Sequence, residues 1–206
     1  MRVTRLTVVA PNASLGQEVQ RQLSVPPDAS GLFYPLNRVT EQARKCYRVK
    51  DVSAERLSPH EIQVTVTARE AFAALDDGDG FTIISRDGIC LYRQTDSGKL
   101  PVLLGMTVPR PPLGSQLQPD QLQWAGELLA GAAKVDLQSG LRADLRQPLH
   151  IVVQTSDGLT IVLGNVNNLT RKMTIAGRTA AQLRSESKTP ARLDVSVPEA
   201  PVWALK

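Results

Sequence analysis

Long apolar runs are missing from this chain. No stretch of roughly 18 apolar residues occurs, which excludes a membrane-spanning helix within these residues. Met1-Arg2-Val3-Thr4 leads into a strand pattern and not into a signal peptide. Histidine is nearly absent. His60 and His150 stand far apart, and neither has Cys, His or Glu at ligand spacing, so no zinc site is expected. The two cysteines, Cys46 and Cys90, imply neither a disulfide nor a compartment, and Cys46 on an apolar helix face reads as a small buried core residue. Aromatics are 4% of the chain, so its core must be mostly aliphatic. There is no G-x-S-x-G elbow, phosphate-binding loop or dinucleotide fingerprint. Carboxylate pairs such as Asp76-Asp77 sit in loops, where positioned acid–base work is hard. The expectation is a protein with no catalytic residue, no metal and no cofactor.

What is present suits a folded binding protein. The 206 residues allow one large domain or two small ones, and 42% hydrophobic residues suffice for a core. The net charge of +4 is dispersed, and its densest group is Arg44, Lys45, Arg48 and Lys50. A nucleic-acid surface needs aromatics among its cations; only Tyr47 is there, so a solvated helix face is the simpler reading and no nucleic acid is expected.

The clearest periodicity lies at 49–72. Apolar Val49, Val52, Ala54 and then Ile62, Val64, Val66 fall among polar neighbours with period two, and Ser58-Pro59-His60 breaks the run. This predicts a hairpin of about Lys50–Leu57 with about Glu61–Arg69. Upstream, Pro35–Tyr47 reads as a helix capped by Asn37, Ser14–Leu23 as a helix capped by Ser14, and Arg2–Ala10 as a strand. Ser24–Tyr34 is a loop with Leu32 and Phe33 as anchors.

A second part begins near Glu70. Phe72–Leu75 reads as a short strand, although propensity alone would permit a helix. Asp76-Asp77-Gly78-Asp79-Gly80 lacks the closing Glu of a calcium loop and reads as a polar turn. Phe81–Ser85 and Ile89–Arg93 form a hairpin about Asp87-Gly88. Leu100–Gly105, the loop Val108–Leu113, a helix at Pro119–Val135 and a strand within Gln138–Leu145 follow. Leu149–Gln154 and Leu159–Leu163 are strands joined at Asp157-Gly158. Asn165–Arg184 is a helix with Leu169, Met173, Ala176 and Ala180 on its apolar face and Arg171-Lys172 on its solvated one. Arg192–Val197 is the last strand, ended by Pro198-Glu199-Ala200-Pro201, with 202–205 left as a tail. A terminal strand is commonly an edge. Arg192–Val197 is then either receptive to a partner backbone or an ordinary edge blunted by Pro198.

The order strand, helix, helix, strand, strand resembles a POTRA module. In detail the chain resembles the FtsQ/DivIB family of bacterial cell-division proteins, through Asn12, Leu36-Asn37, Val49, Val52, Ala54, Arg56, Pro59, Ile62, Val64, Val66, Arg69-Glu70 and Ala73-Ala74. It continues through Gly88, Leu100, Pro101, Gly105, Asp157, Gly158, Val162-Leu163-Gly164, Lys172 and Leu193-Asp194-Val195. Pro11, Ser85 and the order of Arg69-Glu70 depart from the pattern. The resemblance implies an α+β fold: a POTRA domain at 1–69, then a mixed β-rich domain with two helices at 70–206. It implies a non-enzymatic divisome scaffold that binds FtsB/FtsL-like proteins by strand addition at its C-terminal edge strand. The implied contact residues are Arg192, Leu193, Asp194, Val195, Ser196 and Val197, with Trp203 either an aromatic anchor or locally packed. Arg171, Lys172, Arg178 and Arg184 either meet an acidic partner or form a solvated face. The resemblance also implies a membrane helix ahead of Met1, which would then be an introduced start. The chain would lie on the extracytoplasmic side of the cell membrane, at the septum. The alternatives are a POTRA-type chaperone-like module that binds extended envelope polypeptides on the second strand of the hairpin, and an enzyme that uses His60 or His150.

Overall fold

The computed structural model describes residues 3–26, 29–30, 33–106 and 110–205. The expected strand start at Arg2, the Leu32 anchor and residues 108–109 of the expected loop lie outside them. The chain divides into two compact units, Met1–Glu70 and Ala71–Lys206. Each has its own hydrophobic core, and the class is mixed α+β.

In the first unit the order is β1 (Arg5–Val9), α1 (Ala13–Gln22), α2 (Leu36–Arg44), β2 (Val49–Ser58) and β3 (Glu61–Ala68). β2 and β3 form the antiparallel hairpin that period two demanded, with Val52 opposite Val66 and Ala54 opposite Val64. β1 lies parallel to β3, which gives the order β1-β3-β2. β3, the strand on which a chaperone-like module was expected to bind, is therefore central and paired on both sides. Leu15 and Val19 of α1 and Val39 and Ala43 of α2 close over Val49, Ile62 and Val64. Cys46 is fully buried among them.

The caps differ from expectation. Asn12, not Ser14, caps α1, its Oδ1 accepting the Leu15 amide at 2.9 Å. Its extended backbone aims that oxygen at the first turn. Pro35 precedes α2, and Asn37 Oδ1 accepts from the adjacent Arg38 amide and does not cap the helix. Phe33, expected as an anchor, is 83% exposed; Tyr34 is buried instead, and its carbonyl accepts from Arg56 Nη2 at 2.7 Å.

The second unit is one nine-stranded sheet with two helices. Its elements are β4 (Ala71–Asp76), β5 (Phe81–Ser85), β6 (Cys90–Gln94), β7 (Val102–Leu104), α3 (Pro119–Ala133), β8 (Arg142–Asp144), β9 (Ile151–Gln154), β10 (Thr160–Gly164), α4 (Leu169–Ser185), β11 (Pro190–Asp194) and β12 (Val202–Leu205). The strand order is β12-β11-β10-β9-β8-β7-β4-β5-β6. One sheet face carries Leu75, Ile84, Leu103, Ile151, Val153, Ile161, Leu163 and Leu193, and α3 and α4 cover it with Leu128, Leu129, Met173 and Ala176. Removing one such leucine from water contributes about 1.5–3 kcal/mol. The Asp76–Gly80 stretch is the β4–β5 turn, with the Asp77 amide bonded to the Gly80 carbonyl and the Gly78 amide to Asp76 Oδ1.

Expectations fail at two places, α4 and the last strand. α4 begins at Leu169 and not at Asn165, because Asn165 is occupied by a side chain of the same helix. Lys172, expected on the solvated face, is 3% exposed and places its Nζ 3.0 Å from the Asn165 carbonyl and 2.8 Å from Asn165 Oδ1. The second failure is the last strand. Residues 202–205 are no tail: they form β12, antiparallel to β11, with Leu193 opposite Trp203 and Asp194 opposite Val202. Arg192–Val197 is thus not the C-terminal edge. β11 ends at Asp194 and lies between β10 and β12.

Candidate functional site

The two edges of the nine-stranded sheet are treated differently. At β6 the chain folds back over its own edge. The Gly114 amide donates to the Cys90 carbonyl, the Cys90 amide to Ser115, and the Leu117 amide to Gly88, while Ile89 bridges Gln116. Arg93 reaches the Pro111 carbonyl at 2.9 Å. Residues 114–117 thus cover that edge at Gly88–Cys90, the start of β6. At the opposite edge β12 pairs with β11 on one side only among the described residues.

β12 reads Val-Trp-Ala-Leu and every residue in it is exposed. Edge strands are ordinarily blunted by charge, proline or a bulge. Val202–Leu205 carries no charge and no proline; Pro198 and Pro201 stand before it, in the β11–β12 connection. Paired residues of antiparallel strands project to one face. Trp203 therefore stands on the side of buried Leu193, the side on which α4 packs, and remains 48% exposed. Val202, 65% exposed, projects to the other face beside Asp194. Val197 and Leu205 are exposed as well, and Val197 and Val202 line a hollow of ≈ 360 Å³ with Arg192, Asp194, Ser196 and Ala200.

Of the residues expected to meet a partner, Trp203 is the one on the free edge. Arg192, Ser196 and Val197 are exposed, and Asp194 is half-buried. Leu193 and Val195 are fully buried in the core, and the Val195 amide donates to the Val162 carbonyl at 2.9 Å. They support the site from beneath. Val202, Ala204 and Leu205 were missed, because a four-residue strand exposed on both faces leaves no alternation to read.

The cations expected to face an acidic partner separate into three kinds. Lys172 is buried. Arg184 is paired with Asp157, and Arg171 with Glu199 at 3.0 Å. Arg178 makes no ion pair among the described residues, and with Lys134, Thr174 and Ile175 it lines a groove between α3 and α4.

Other groups gather no chemistry. His60 and His150 are exposed in separate units. A hollow of ≈ 630 Å³ on the helix-free face holds Arg142, Arg146 and His150, but Arg142 is already paired with Asp76 and Arg146 with Asp144. Arg48, in the basic group near α2, is paired with Glu18 at 3.0 Å. Both cysteines are free and buried, and burial pushes both thiols up. Among the described residues no three His, Cys, Asp or Glu side chains group as a metal site. No described helix is long and apolar enough to cross a membrane.

No protein-family model matches the chain, and no curated protein matches it.

Proposed function

We propose that this chain is the extracytoplasmic part of an FtsQ/DivIB-type scaffold of the bacterial divisome, which takes a partner backbone onto the free edge of β12. The observation that carries the reading is the contrast between the two sheet edges: the chain's own residues 114–117 cover the β6 edge where it begins, at Gly88–Cys90, whereas no described segment covers β12, which is apolar. Strand addition needs such an edge, because main-chain hydrogen bonds supply affinity and side-chain contacts supply selection. Each new backbone bond contributes about 0.5–1.5 kcal/mol net. Burial of a half-exposed tryptophan adds the kind of anchor that dominates interfaces. The strand-helix-helix-strand-strand order of the first unit, on which the resemblance to a POTRA module rests, supports the same reading.

In this reading the chain is not an enzyme and takes no cofactor. Its partners are FtsB/FtsL-like division proteins, and a membrane helix ahead of Met1 holds it at the septum. The contact set moves outward by one strand from Arg192–Val197, to Val202–Leu205 with Trp203 as anchor. The test is the position in dividing cells of the native full-length gene product, carrying a fluorescent protein at its N-terminus. A ring at the septum is expected. A uniform envelope signal or a diffuse cytoplasmic one overturns the proposal.

A further inference from the structure

We infer that Glu199 stands in, within the chain, for a carboxylate of the partner, and that Arg171 is the residue that selects for that carboxylate. The inference rests on the strand-addition reading of β12. Glu199 lies in the connection that delivers the chain into β12, and its Oε1 is 3.0 Å from Arg171 Nη2. Both side chains are more than half exposed, at 63% and 61%, so the pair holds without burial and opens at little cost. Arg171 also lines the groove between α3 and α4 that contains Lys134, Arg178 and Glu127. Once Glu199 swings away, Arg171, Lys134 and Arg178 face Glu127 alone in that groove.

This charge pattern chooses among occupants. A second copy of the chain, joined edge to edge by antiparallel β12 strands, would bring Val202, Trp203, Ala204 and Leu205 past Arg171, none of which is acidic. A partner that carries a carboxylate is favoured. Its position follows from chain direction. Glu199 precedes Val202, so Arg171 stands at the start of β12. A strand added antiparallel to β12 passes that point at its own C-terminal end. The partner therefore carries an extended apolar segment followed by Glu or Asp.

The experiment titrates the full chain with two labelled synthetic peptides of alternating Thr and Val, one ending Glu-Glu and the other Gln-Gln. The Glu-Glu peptide is expected to bind more tightly. Glu199→Gln should tighten it a further two- to fivefold or about that at low ionic strength, as expected for an exposed ion pair. The same change should leave the Gln-Gln peptide unaltered, and the gain should vanish near about 0.5 M salt. Arg171→Gln should abolish the preference for the Glu-Glu peptide. If Glu199→Gln alters both peptides equally or neither, the inference is overturned while strand addition stands. If neither peptide binds the wild-type chain, the strand-addition reading falls and the inference with it.

Discussion

At the scale of single residues, burial decides what a side chain does, and several assignments turn on it. Lys172 falls next to Arg171 in a helical pattern that gives no sign the two differ, yet one is buried and the other exposed. Burial lowers the Lys172 pKa from its ordinary 10.5. Between that lowered value and 10.5 the unfolded chain holds the proton more firmly than the folded one, so stability rises with pH through this window. Lys172→Met should lack the rise, and urea melts of the two proteins between neutral pH and 10.5 would reveal the difference. Asp157 behaves in the opposite sense. The Thr155 hydroxyl and the Arg184 guanidinium hold its carboxyl below the ordinary 3.8. Its contribution is present above that value and is lost as pH falls through the lowered pKa; Asp157→Asn should flatten acid unfolding there. Glycines sort in the same way. A Cβ on Gly177 would lie 2.5 Å from Val135 Cβ, and one on Gly131 would lie 2.7 Å from Met173 Cβ, so these two residues let α3 and α4 approach. Gly177→Ala is expected to destabilise by about 1–3 kcal/mol through overpacking, despite a gain in helix propensity of about 1 kcal/mol. Gly126, in α3, meets nothing within 4 Å of its would-be Cβ. Gly126→Ala should stabilise by about 0.5–1 kcal/mol, and urea denaturation separates the two signs.

At the scale of elements, period two and period 3.6 were legible wherever a face was half buried. The β2–β3 hairpin, both Asp-Gly turns and the bodies of all four helices follow from that alternation. Helix ends were less legible, because Asn12, Ser14, Asn37 and Asn165 are equally good caps in a sequence, and only the backbone direction chooses among them. β12 was not legible because it is short and exposed on both faces, so it lacks the one-sided burial that leaves a pattern. The same property makes it testable. A chain ending at Pro201, or the variant Trp203→Ala, removes none of the side chains of the core and should still unfold in one cooperative urea transition. Partner affinity should fall by roughly tenfold or more for Trp203→Ala, in keeping with an aromatic hot spot, and titration would measure it. Unchanged affinity in both variants would remove β12 as the site.

At the scale of the whole molecule, each unit closes its own core. The core of the second unit, from Ala73 to Val195, draws on no residue of the first. Residues 71–206 alone should therefore show one cooperative urea transition, read by far-ultraviolet circular dichroism. A gradual loss of signal would show that the unit depends on the first. The sequence by itself determined the α+β class, the order of nearly all elements and the scarcity of reactive groups. Those properties are written in local periodicity and in composition, and each is settled within a few residues. Only the tertiary structure decided which strand ends the sheet, which lysine is buried and which cations already have a carboxylate. Such outcomes depend on pairings between residues distant in the chain, such as β11 with β10 and β12, and Arg171 with Glu199. Local periodicity carries no record of them.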